Sequence, residues 1–392
     1  MEMNVNRGRL FLASCMALVV TAMTFAIRAR LELVFSTDFS LSAQDIGLAF
    51  GPAFFGFTIA MMIGGPLVDI FGIKKIVWLA FIGHLIGIIV TIFATNFWTL
   101  FLGTLAIGIG NGMVEAACNP LVATMYPEEK TTMLNRFHVW FPGGIVIGSL
   151  LSYLMMDIME LNWQLLVGAL VIPLIAYAVL FLGQEVPQTE RVKMGVSTSG
   201  MWKAVVSPLF LFMGFCMLLT ASTELATQQR IDSLLHETGV SGMLVLALTT
   251  GIMAVGRAFA GPVVHKLSPS GMLLFSAVFS CLGLVWLSYA QGSTIFVAAA
   301  VFAIGVCYFW PTMLGYVAEY IPESGALGLS VMGGLGMFSV SIVLPLMGYF
   351  MDTESSGAST LRYMAILPVI LIIAFSFLHF GVKKKKNEAV SA

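Results

Sequence analysis

Apolar runs of about 20 residues recur from one end of this 392-residue chain to the other, each long enough to cross a ~30 Å hydrocarbon core as a helix. That recurrence decides the fold class, because backbone in lipid must satisfy its own hydrogen bonds and does so in bundled helices or closed barrels. The alternating pattern of a barrel strand is absent. Only 10% of the residues are charged, against roughly 25% in soluble domains. The chain reads as an all-α membrane protein with twelve spans, at 9–35, 45–67, 76–95, 98–124, 137–157, 163–183, 206–229, 240–263, 271–290, 294–318, 325–350 and 362–382.

Basic residues fall on one side of these spans. With the N-terminus cytoplasmic, that side carries Arg7, Arg9, Lys74, Lys75, Lys130, Arg136, Arg191, Lys193, Lys203, Lys266 and Lys383–Lys386, and the other side essentially Arg230 and Arg362. The asymmetry follows the positive-inside rule and predicts both termini in the cytoplasm, with a bacterial inner membrane as the expected location. The terminal lysines read as an anchor to the bilayer surface rather than a nucleic-acid patch. Cys15, Cys118, Cys216, Cys281 and Cys307 all fall within spans and lack metal-ligand spacing, so neither a disulfide nor a metal is expected. No cleavable signal peptide is expected before the first span. Neither a nucleophile elbow nor a phosphate loop is found, so no cofactor and no enzyme activity are expected.

The chain also repeats itself. "GPLVDIFG" from Gly65 aligns with "GPVVHKLS" from Gly261 at an offset of 196, half the chain length. "VATMYPEE" from Val122 matches "VAEYIPES" from Val317, and "SYLMMD" ending at Asp157 matches "GYFMD" ending at Asp352, both at an offset of 195. The polar stretch between the halves reads as a linker. The expected domains are therefore a six-helix bundle at 1–183, a cytoplasmic linker at 184–205, and a second bundle with a basic tail at 206–392. Parallel repeats of this kind place a binding site at the midplane between the halves, with rocking as the motion.

"GPLVDIFGIKK" resembles the loop signature of the major facilitator superfamily, with Gly65, Leu67, Asp69, Gly72 and the pair Lys74–Lys75 at its positions and Ile70 where that family usually has Arg. The resemblance implies two pseudo-symmetric six-helix bundles. Gly65 and Gly72 would allow a tight turn and close helix approach. Asp69 and Lys74 would form a latch made in one access state only.

Ionisable groups inside spans are functional candidates, because burying them is costly without a partner. They are Arg28, Arg30, Glu32, His84, Glu115, His138, Glu224, Arg257 and Glu319. Isolated among apolar residues, His84 reads as a packing residue. Glu115 lies ~26 Å from Trp98 and ~17 Å from Tyr126 along its helix, deep in the bilayer. Asn111 and Asn119 stand four residues to either side, on one face. Gly108, Gly110 and Gly112 allow close packing. Desolvation favours the neutral form of such a carboxyl and a nearby cation the charged one, which suits coupling of proton uptake to substrate binding.

The stretch "GIGNGMVEAACNPLVATMYPEEKTTMLNRFHVWFPGGIVIG" resembles the fucose:proton symporter branch of the superfamily, with Glu115, Asn119, Pro120, Leu134, Asn135, Phe141 and Gly144 at its marked positions. His138 stands where relatives often carry Gln or His. "ASTELATQQRI" resembles that branch's seventh helix, with Glu224, and "AVGRAFAGPVVHKLSP" its eighth, with Arg257. The resemblance implies a proton-coupled sugar symporter. Glu115 and Glu224 would then couple protons. Asn111, Asn119, Asn135, His138, Gln228 and Gln229 would contact hydroxyls, Trp140 and Trp310 would offer ring faces, and Arg257 would take part in gating. The branch carries an acidic residue in its first helix, and here Ala29 stands in its place between Arg28 and Arg30. These arginines support an alternative, an organic-anion or sugar-acid transporter in which they bind the substrate anion. Drug export and a non-transporting sensor are further alternatives. Arg28 could pair with Glu32 on its own helix, or with Glu224, to which the repeat relates it by an offset of 196. The expected partners are a small-molecule substrate, protons or another coupling ion, and the lipid bilayer, with a monomeric chain.

Overall fold

A computed structural model describes residues 6–126, 133, 136–188, 198–354 and 356–391, and helices dominate these throughout. Among the described residues eleven helices are long and apolar enough to cross a membrane: α1 (Arg7–Asp38), α2 (Ala43–Gly65), α3 (Ile73–Ile92), α4 (Phe97–Met125), α5 (Arg136–Ile158), α6 (Trp163–Phe181), α7 (Pro208–Gln229), α9 (Lys266–Leu287), α10 (Thr294–Val317), α11 (Leu327–Glu354) and α12 (Gly357–Gly381). A shorter apolar helix, α8 (Gly242–Ala258), completes the twelve. The spans predicted at 240–263 and 271–290 are divided at Ser268, between the two predicted ranges. The chain turns at Phe259 and runs on as helix, breaking at Ser268, whose φ of 61° precedes Pro269. A residue before proline is disfavoured in the helical region, which places the break there.

Local chemistry sets the helix ends. Ser42 and Asp45 form a capping box at the start of α2, the Ser42 hydroxyl accepting from the Asp45 amide and the Asp45 carboxylate from the Ser42 amide. The Asn96 side chain accepts from the amides of Trp98 and Thr99 and starts α4. Gly72, with φ 84°, makes the tight turn between α2 and α3. An even number of spans brings both termini to one face, called here the terminus side. Near it Arg9 donates to the carbonyls of Val179 and Leu180 at 2.9 Å and ties α1 to the exposed end of α6.

The repeat survives at the level of single contacts. On α4, Gly110 packs against His84 of α3, and on α10 Gly305 packs against Ser280 of α9. Gly87 of α3 lies against Ile107, and Gly283 of α9 against Phe302. His84 and Ser280 are 196 residues apart, Gly110 and Gly305 are 195 apart, and Gly87 and Gly283 are 196 apart. Each glycine brings two helices together at a crossing that a Cβ would close. The halves meet where α2 runs along α11, α5 along α8, and α1 against α7.

The signature loop differs in part from expectation. Gly65 has open space around it, and the close approach falls instead on Gly64, next to Ala116 of α4. The Asp69 side chain lies outside the described residues. Lys74 Nζ donates to the Gln184 carbonyl at 3.0 Å, fastening this loop to the segment after α6.

Gly108 gives the sharpest packing test, since a Cβ there would meet the Ala53 backbone on α2. Gly108→Val is expected to cost about 1–3 kcal/mol through overpacking. Gly65→Ala should leave stability within ~0.5 kcal/mol. Thermal unfolding of the two purified variants, followed by size-exclusion fluorescence, checks the contrast.

Candidate functional site

The charges that sequence places among apolar residues are gathered by the fold into distinct clusters. The first joins the halves, far from the terminus side. Arg230, at the end of α7, is 1% exposed and pairs with Glu32 of α1. Its Nη2 also donates to the carbonyls of Ala43 and Leu344, both at 2.8 Å, so one guanidinium holds α1, α2, α7 and α11. Beside it Arg30 pairs with Asp232 at 3.1 Å and with Asp157 of α5 at 2.8 Å. Burial raises the Asp232 carboxyl above its ordinary value, and Arg30 opposes that shift. The Asp352 carboxylate of α11 accepts from the amides of Ala43 and Gln44 at 3.0 and 2.9 Å, capping α2 from the other half.

The two partners foreseen for Arg28 are both taken elsewhere. Glu32 reaches across to Arg230 rather than one turn back along its own helix. Arg28 Nε donates to Gln229 Oε1 at 2.8 Å, and Gln229 Nε2 donates to the Phe25 carbonyl at 2.9 Å. Glu224 turns into its own half, where Arg257 Nη2 donates to it at 3.1 Å and Arg257 Nε donates to the Cys307 carbonyl at 2.9 Å. Its turn, Ser222–Ala226, is π-helical, and this wider winding inside an α-helix is frequent at functional positions. One Glu224 oxygen, Oε2, is buried without a partner.

In the first half the polar residues of α4 divide. Asn111 is buried at the α3 crossing, where its Oδ1 lies 2.8 Å from His84 Nε2 and its Nδ2 donates to Thr24 at 3.1 Å. His84 Nδ1 lies 3.3 Å from the Tyr177 hydroxyl. Asn111 therefore belongs to a closed polar cluster and not to the surface that Glu115 shares. Asn119 Nδ2 donates to Glu115 Oε2 at 2.6 Å, and Asn119 Oδ1 lies 2.9 Å from His138 Nε2. The chain Glu115–Asn119–His138 links α4 to α5 and descends toward the terminus side. Glu115 makes no ion pair among the described residues.

The other expected contacts are scattered. Gln228 is buried and donates to Met253 Sδ at 3.2 Å, inside the second half. Trp310 is half-buried beside Gly336 of α11, and Trp140 is exposed. Asn135 lies outside the described residues. Sequence reasoning missed Arg230, Asp232 and Asp352 as contacts between the halves and Asp157 as a partner of Arg30. A signal for two of them was present: Asp157 and Asp352 end the third matching pair of the repeat.

This geometry is met by known proteins. The model of the Major Facilitator Superfamily matches residues 10–269, and the chain belongs to that family. The chain is 23% identical over 175 residues to the solute carrier family 2 facilitated glucose transporter member 10 of Xenopus tropicalis, covering 44% of this chain and 31% of that one. It is 26% identical over 161 residues to the D-xylose transporter of Levilactobacillus brevis, covering 41% and 34%. The matches thus span about a third of these relatives. Among solved structures, a D-xylose-proton symporter superposes with a TM-score of 0.77 at 14% identity, over 94% of this chain and 96% of that one. The E. coli fucose:proton symporter superposes with a TM-score of 0.65 at 16% identity, over 94% and 98%. The shared fold is the twelve-helix major facilitator fold.

Removing one member of the Glu32–Arg230 pair strands the other among apolar helices. Arg230→Met is expected to weaken this closed face by about 3–5 kcal/mol, and Glu32→Leu added to it should recover most of that. Hydrogen exchange at the ends of α1 and α7 reads the opening and its reversal.

Proposed function

We propose that this chain is a secondary active transporter that moves a small polar solute, a sugar, across the bacterial inner membrane by alternating access, coupled to protons. It works as a monomer, with residues 1–183 and 206–392 rocking about the linker at 184–205. Both termini are cytoplasmic in this reading, which the lysine and arginine asymmetry supports. The terminus side is then the inner face. The inter-half hydrogen bonds and ion pairs among the described residues lie in the opposite half of the bundle, save Thr58, which donates to the Gly334 carbonyl at 3.0 Å. We read this as the inward-facing state.

The observation that carries the proposal is Glu115, an intramembrane carboxylate answered by a neutral amide rather than a cation. A proton there removes a charge that no cation balances among the described residues. His138, one amide away and nearer the inner face, is the group through which that proton leaves. Glu224 is the second acid, held by Arg257 until the halves change their packing. Asn119, His138, Asn135 and Trp310 supply the substrate's contacts, while Asp69, Gly72 and Lys74 work as the inner latch. The sugar reading draws on relatives whose names state glucose and D-xylose transport. Arg30 is occupied by two carboxylates and serves the outer closure, which speaks against its holding a substrate anion.

Glu115→Gln is isosteric with the protonated acid and tests the coupling. In proteoliposomes it should lose uptake driven by a proton gradient, while exchange of labelled for unlabelled sugar across the membrane survives in part. Full concentrative uptake by this variant would contradict the role of Glu115.

A further inference from the structure

Arg28 holds a charge that the transport proposal leaves unbalanced. It is 6% exposed, its Nε is bonded to the neutral Gln229, and its guanidinium lies 5.0 and 4.8 Å from the ring centres of Phe25 and Phe54. It forms no salt bridge among the described residues, and Nη2 is buried without a partner. Glu32, the carboxylate one turn away, is taken by Arg230. Burying an unpaired charge is costly, and the two aromatic faces offset only part of that cost.

Next to Arg28 lies a cavity of about 30 Å³ inside the first half, lined among others by Thr24, Phe50, Thr91, Thr104 and Val167. Every residue lining it is buried. Thr91 Oγ1 is a second buried polar atom without a partner. The Thr24 and Thr104 hydroxyls are committed as donors to the carbonyls of Thr21 and Ala49, both at 2.6 Å. Two of the residues that line the cavity therefore keep an unspent hydrogen, and one of them is cationic. Its volume suits one or two species the size of water and excludes a carboxylic acid or a sugar.

We propose that Arg28 and Thr91 bind a small monovalent anion, a halide such as chloride, in this cavity. The site is separate from the Glu115–Asn119–His138 strip and does not depend on the substrate. Because Arg28 also reaches α7 through Gln229, the anion steadies a contact between the halves. A ligand that binds only the folded chain raises its stability with concentration.

The test uses the purified full-length protein in detergent, with thermal unfolding measured in sodium chloride and in sodium gluconate at equal ionic strength. Chloride and bromide should each give a saturable rise in Tm that gluconate does not. Arg28→Gln should abolish the rise, and Thr91→Val should raise the half-saturating chloride about tenfold, the loss of one hydrogen bond to an ion. If Arg28→Gln fails to fold, Thr91→Val decides alone, and an unchanged chloride response in it overturns the proposal. Anomalous scattering from bromide-soaked crystals locates the ion. No halide-specific rise in the unaltered protein, or a cavity holding water alone, also overturns it.

Discussion

The Glu32–Arg230 pair is the contact on which this arrangement of the two halves rests. It is buried, it crosses from α1 to α7, and its guanidinium also satisfies carbonyls on α2 and α11. In an apolar slab such a pair is worth little over well-packed hydrocarbon, but either partner alone is expensive. That asymmetry suits a gate: the contact need not be strong, since breaking it is what costs. In the transport cycle we propose, rocking the halves apart at this face would expose both charges to water, lowering the cost of separating them.

The same rule sorts the other buried charges. Arg30 has Asp157 and Asp232, and Arg257 has Glu224. Among the described residues two buried groups stand outside it, Glu115 with an amide and Arg28 with an amide. They lie at different depths, since at 1.5 Å per residue Arg28 is ~31 Å from the terminus-side end of α1 and Glu115 ~15 Å from that end of α4. They cannot answer each other. We propose that a proton balances Glu115 and an anion Arg28.

The twelve helices and the repeat were legible in the sequence because both follow from long-range pattern, which hydrocarbon enforces along the whole chain. Single contacts were legible where spacing along one helix settles them, as for Glu115 and Asn119. They were not where two helices compete for one group. Symmetry and the four-residue spacing each offered Arg28 a carboxylate. A pair within one helix contributes only a few tenths of a kcal/mol, though, so Glu32 went to the buried Arg230. Asn111 shares a helix with Glu115, yet the glycine at position 110 draws α3 close enough for His84 to take it. The break at Ser268, before Pro269, falls in the gap the sequence left between two spans, whereas the turn at Phe259 that shortens α8 lies inside an apolar run and leaves no mark in hydropathy.

The central claim is that sugar and proton move together through this chain. Sugar-induced current on a solid-supported membrane, recorded from proteoliposomes of the unaltered protein, tests it most directly. The account predicts that a neutral sugar evokes an inward movement of positive charge that shrinks when the proton concentration is lowered. Sugar uptake with no accompanying current at any pH would contradict it.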